Sequence, residues 1–78
     1  SRATRLADCF EKISDAKLEI EEIKNELDEW KSGMDGTNLE STVKYEQLDE
    51  AIELLDEFES HLEELDGRDD EVEFPGMF

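Results

Sequence analysis

Leu6, Ile13, Ile20, Leu27 and Met34 stand seven residues apart, and Cys9, Ala16, Ile23 and Trp30 follow the first four of them by three. No Gly or Pro interrupts the stretch from Ala3 to Ser32. Apolar residues that alternate by three and four keep to one side of an α-helix, whereas a strand would scatter them over both faces. The spacing predicts a helix over about 4–32, with the two sets as the a and d positions of four heptads. At 1.5 Å per residue such a helix is about 42 Å long.

The segment Lys31-Ser32-Gly33-Met34-Asp35-Gly36-Thr37-Asn38 breaks the pattern. Gly33 suits the residue just past a helix end, where positive φ is cheap for glycine, and Asp35-Gly36 is turn chemistry. Thr37-Asn38-Leu39-Glu40 fits a capping box, and Ser41 or Thr42 fits a later start. The later start is preferred, with Leu39 as an apolar anchor beneath a loop over 33–41. A second helix is expected over about 42–66, carrying Leu48, Ala51, Leu55, Phe58, Leu62 and Leu65 as its stripe, widened by Tyr45, Ile52 and Leu54. Asp66-Gly67 ends it. The fold expected is all-α: an antiparallel helical hairpin with coiled-coil-like packing over 1–66, followed by an acidic and apolar tail over 67–78.

A chain of 78 residues has room for one domain, and one this small usually needs a staple, a metal or a partner. Cys9 is the only cysteine, so no intrachain disulfide forms, and it is expected to pack as a small hydrophobe. The stripes are too wide for two helices to cover, and Phe10, Leu18, Tyr45, Ile52 and Leu54 would stay substantially wet. Burying a large apolar side chain is worth about 1.5–3 kcal/mol, so self-association is favoured. The sequence points to a homodimer in which two hairpins make a four-helix bundle, with Phe10, Trp30, Tyr45, Ile52, Leu55 and Phe58 in the interface.

The formal net charge is −17. Nucleic acids and anionic membranes are bound by cationic neutralisation of phosphate, so direct contact with either is disfavoured. The same charge attracts basic protein surfaces over long range. Residues 3–32 hold Arg5 and four lysines against nine acids, while residues 42–66 hold Lys44 against ten. Lys17, Lys24 and Lys31, at successive e positions, are expected to reach Asp49, Glu53 or Glu59 across an antiparallel seam. Such exposed pairs select orientation more than they stabilise. No apolar run spans a bilayer, and a lone thiol fits a reducing compartment, so a cytoplasmic location, bacterial or in a phage-infected host cell, is expected.

Twenty-five carboxylates make chance motif matches easy. Glu19-x-x-Glu22 followed by Glu46-x-x-Asp49 resembles the ExxE…ExxD pattern of the all-α nucleotide pyrophosphohydrolases of the MazG type. That resemblance implies Mg²⁺ held by those four residues and hydrolysis of a nucleoside triphosphate. The heptad register turns three of the four away from the seam, and no basic cluster awaits a triphosphate, so a solvated acidic face is the better reading. His61 lacks the Glu-x-x-His partner of a di-iron bundle, since position 58 is Phe. Loops counted from Asp35 or Asp66 lack the glycine that an EF-hand requires. One His and one Cys are too few for a zinc tetrahedron. The serines have no nucleophilic constellation around them. No enzyme, metal or cofactor is expected.

The chain ends Asp69-Asp70-Glu71-Val72-Glu73-Phe74-Pro75-Gly76-Met77-Phe78. Residues 67–71 are expected to leave the helix extended, with Phe74, Met77 and Phe78 as an apolar hook that docks on the chain's own bundle or its mate. This layout is similar to the C-terminal tails of bacterial single-stranded DNA-binding proteins, which insert an apolar end into basic-rimmed pockets of genome-maintenance partners. Pro-Gly-Met-Phe departs from that family's Ile-Pro-Phe, so no specific partner carries over. Small, very acidic phage and mobile-element proteins are similar in composition. The function expected is a non-enzymatic interaction module, an adaptor or inhibitor, that offers Asp49, Glu50, Glu53, Asp56, Glu57, Asp69, Asp70, Glu71, Phe74, Met77 and Phe78 to a basic protein. The alternative is a nucleic-acid-mimicking inhibitor that occupies the groove of a nucleic-acid-binding protein.

Overall fold

The computed structural model describes residues 1–36 and 42–76. Helix α1 runs Arg2–Met34, helix α2 runs Val43–Glu64, and a 3-10 turn over Arg68–Glu71 follows. The two helices pack as an antiparallel hairpin, in which Lys24 meets Asp56 and Glu59 while Lys31 meets Asp49. Among the described residues there is no strand, and no helix is long and apolar enough to cross a membrane.

Hydroxyl caps start both helices. The Thr4 amide donates to Ser1 Oγ and the Tyr45 amide donates to Thr42 Oγ1, each at 3.2 Å. An N-cap oxygen satisfies an amide that has no partner inside the helix. The capping-box residues Thr37 to Glu40, the Leu39 anchor and Ser41 lie outside the described residues.

The end of α1 differs from the sequence reading. Gly33 stays helical, and the turn falls instead at Asp35-Gly36, with φ of +76° at Gly36. The reason is Met34, which lies on the inner face and is only 6% exposed. Glycine inside a helix costs roughly 0.8–1 kcal/mol against alanine, and burying a methionine returns about 1.5–3 kcal/mol. Burial wins, so the helix runs one residue past the glycine. At the other end Gly67 takes φ of +74°, and the Arg68 amide donates to the Leu65 carbonyl at 3.0 Å. The segment after it does not travel extended. Arg68 Nε lies 2.6 Å from Glu71 Oε2, and that pair together with short-range amide bonds closes Arg68–Glu71 into the 3-10 turn.

The seam uses a and e positions in place of a and d. On α1 the protected residues are Leu6, Phe10, Ile13, Lys17, Ile20, Lys24, Leu27, Lys31 and Met34; on α2 they are chiefly Tyr45, Leu48, Ile52, Leu55, Glu59 and Leu62. Cys9 and Ala16 are exposed, Ile23 is 40% exposed and Trp30 50% exposed. Phe58 is likewise exposed, whereas Phe10, Tyr45 and Ile52 are half-buried within the hairpin. The a column has apolar residues on both flanks, and two helices can cover only one of them. Choosing the e flank buries Phe10 and the lysine stems, and it brings the ammonium groups to α2 carboxylates. The d flank of α1 is left outside, and Phe58 with it, while Ala51 and Leu65 on the d flank of α2 stay half-buried.

The result is a rod. Its principal extents are 69 × 14 × 14 Å and its radius of gyration is 18.6 Å, against roughly 11.5 Å for a compact domain of this length. Only Met34 and Leu48 are buried among the described residues.

Candidate functional site

Three features of the surface stand apart from the seam. The first is acidic. Glu46, Glu50, Glu53, Glu57 and Glu64 recur at helical spacing on the outer side of α2, and all are exposed. Residues 46 to 64 span about 27 Å at the standard rise. Among the described residues the base that pairs with this ridge is His61, at 3.6 Å from Glu57 and 3.8 Å from Glu64. Beside it Asp49 and Asp56 are also exposed, but each is held by a lysine: Lys31 Nζ lies 2.6 Å from Asp49 Oδ1 and Lys24 Nζ lies 3.1 Å from Asp56 Oδ1. Lys24 also reaches Glu59 Oε2 at 3.3 Å, and the other oxygen of Glu59 is buried with no hydrogen-bond partner. Of the acids that the lysines were expected to reach, Asp49 and Glu59 are met, Asp56 joins them, and Glu53 stands exposed to solvent. Lys17 has no ion-pair partner among the described residues.

These pairs shift the cations. The hydrogen bond to Asp56 holds the Lys24 ammonium above its ordinary range, and the bond to Asp49 does the same for Lys31. Tyr45 donates its hydroxyl to Asp35 Oδ1 at 3.0 Å, which raises its phenol.

The second feature is a face without acids. On α2 the column Lys44, Ala51 and Phe58, continued by the C-cap Leu65, and the column Gln47, Leu54 and His61 hold no carboxylate, although α2 is otherwise crowded with them. On α1 the outward row is Arg2, Cys9, Ala16, Ile23 and Trp30. Both sets lie on the same side of the hairpin, since Lys44 Nζ stands 5.7 Å from the Trp30 ring centroid. Leu54 is 44% and Phe58 46% exposed here. Reading the helices by their apolar residues alone missed this face; the seven-residue columns that avoid Asp and Glu are the signal that marks it.

The third is the tail. The 3-10 turn packs on α1, with Asp69 half-buried and Asp70 and Glu71 exposed. Phe74 then lies at a cleft shared with Arg2, Arg5, Leu6 and Cys9. Two of the three arginines in the chain gather there. Met77 and Phe78 lie outside the described residues.

Glu19, Glu22, Glu46 and Asp49 are each exposed, and among the described residues no group of three His, Cys, Asp or Glu comes together to hold a metal ion. The fold thus defines a two-helix hairpin with segregated acidic and non-acidic surfaces. Compared with known proteins, the chain matches no family model, no curated protein and no solved structure.

Proposed function

We propose that the protein is a non-enzymatic interaction module that presents the acidic side of α2 to a basic protein surface. The glutamate ridge from Glu46 to Glu64 carries the reading. A row of carboxylates in water, flanked by Asp49 and Asp56, is a long negative stripe that attracts cationic surfaces within a Debye length. Asp69, Asp70 and Glu71 extend the negative surface towards Phe74, which supplies an apolar contact at its end. In this reading two hairpins pair into a four-helix bundle, leaving the ridge of each outward.

The test is capture by the immobilised chain at low and at high salt. Basic partners are expected to bind at low salt, to leave as salt rises, and to be lost when Glu46, Glu50, Glu53, Glu57 and Glu64 are changed to Gln. Salt-resistant capture that ignores those changes defeats the acidic reading. Capture abolished by Phe74→Ala or Phe78→Ala at any salt assigns recognition to the tail instead. The regular spacing of the ridge also favours a second reading, imitation of nucleic-acid phosphates, in which duplex DNA competes for the captured partner. Hydrolysis of nucleoside triphosphates with Mg²⁺ that vanishes in Glu22→Gln would overturn both.

A further inference from the structure

The non-acidic face is built to meet itself. Its α1 row runs Cys9, Ala16, Ile23, Trp30, two small residues and then two large ones. Laid antiparallel on a second α1 about Glu19–Ile20, Cys9 comes opposite Trp30 and Ala16 opposite Ile23. Small faces large at every level, and the seven-residue spacing keeps all four contacts in one register. The flanking row comes within one residue of the same axis: Lys12 stands opposite position 27 of the second copy, one residue from Glu26, and Glu19 stands one residue from its own counterpart. A parallel arrangement would set Trp30 on Trp30 and Cys9 on Cys9, a bulge and a gap.

The exposed area asks for a cover of this size. The hairpin exposes 6317 Å², whereas a compact monomer of its mass exposes roughly 4,900 Å². The excess is larger than the roughly 800 Å² per partner of an ordinary stable interface.

One detail makes the arrangement specific. The cleft formed by Arg2, Arg5, Leu6, Cys9 and Phe74 lies at the level where Trp30 of the second copy arrives. Guanidinium groups and a phenyl ring are suited to the faces of an indole. We infer that a second copy of the chain covers this face, with α1 antiparallel to α1, and that Trp30 of each copy enters the cleft between the N-terminal end of α1, Arg2 to Cys9, and Phe74 of the other. This rests on reading the chain as a self-associating module, and it assigns Phe74 to holding the pair.

The experiment uses the full chain and its only tryptophan. Within one chain Trp30 and Cys9 are separated by about 31 Å of helix, so Phe74 cannot touch Trp30 of its own chain. Sedimentation from about 1 to 100 µM is expected to show a species of twice the 9.0 kDa chain mass, with Trp30 emission blue-shifted as it forms. Phe74→Ala is expected to weaken pairing at least about tenfold, and to move Trp30 emission to the red in the protein that remains paired. Trp30→Cys, which keeps Cys9, is expected to cross-link under a mild oxidant. The bond expected joins Cys9 of one copy to the thiol introduced at position 30 of the other, and it forms faster than wild type links Cys9 to Cys9. A single 9.0 kDa species at every concentration overturns the inference. So does a dimer whose Trp30 emission ignores Phe74→Ala, or one in which Cys9 links to Cys9 faster than to the introduced thiol. A monomer that still binds polylysine through the glutamate ridge sinks the pairing and leaves the acidic module standing.

Discussion

Lys31 Nζ lies 2.6 Å from Asp49 Oδ1 and 5.4 Å from the centroid of the Tyr45 ring. Tyr45 in turn donates to Asp35 at the mouth of the loop. The hairpin is therefore closed at its loop end by a polar cluster that carries protons.

That cluster and the Lys24 pair farther along the seam set an alkaline limit. Lys24 is held above 10.5 chiefly by its bond to Asp56, Lys31 above 10.5 by its bond to Asp49, and Tyr45 above 10.0 by its bond to Asp35. All three bind their protons more tightly in the folded chain. Their contribution is complete below the unfolded pKa values and is lost as pH rises through the folded ones. Urea midpoints should hold steady between about pH 7 and 9 and decline above about pH 10. Tyr45→Phe should remove part of that decline, and a midpoint that climbs above pH 10 contradicts the cluster.

Gly33 and Gly36 should respond oppositely to alanine. Nothing lies within 4 Å of a Cβ built at either position, but only Gly36 has positive φ. Gly33→Ala should stabilise the hairpin by about 0.8–1 kcal/mol through helix propensity. Gly36→Ala should destabilise it by roughly 1 kcal/mol or more. Thermal melts of the two variants separate them; equal losses would mean that α1 ends before Met34.

Leu48 and Met34 are the buried pair, at 5% and 6% exposure. Leu48→Ala and Met34→Ala should each cost about 2–5 kcal/mol, while Met34→Leu, which keeps the volume, should cost under about 1.5 kcal/mol. Chemical denaturation of the three variants is the measurement. Trp30→Ala, on the outward row, should cost the isolated hairpin less than Leu48→Ala or Met34→Ala, because half of its ring is already in water.

Repulsion should dominate the salt response. With 25 acids against eight bases, screening weakens like-charge contacts more than it weakens the few lysine bridges. The melting temperature should rise by a few degrees as sodium chloride is added. Changing the five ridge glutamates to Gln should flatten the rise. A melting temperature that falls with salt would show the bridges winning.

The helices and their hairpin were legible because periodicity is local. The heptads of α1 and the cap at Thr42 need no knowledge of what packs where. Gly67 was legible for the same reason, as a glycine just after the last apolar position. Gly33 was not, since its chemistry favours an end and only the burial of Met34 outweighs it. Nor was the fold of Arg68–Glu71, which depends on a side chain reaching three residues along its own turn.

What the linear chain determined was which residues are apolar and on which side of each helix they stand. Which flank of that side turns inward was decided by tertiary packing. The d residues and the e residues border the same column of leucines and isoleucines, so periodicity weighs them alike. Only when α2 is in place do Lys24 and Lys31 find carboxylates and Phe10 find cover, and these contacts exist on the e flank alone. Covering it leaves Ile23, Trp30 and Phe58 in water, because a helix has two flanks to its apolar column and a single neighbour can shield one.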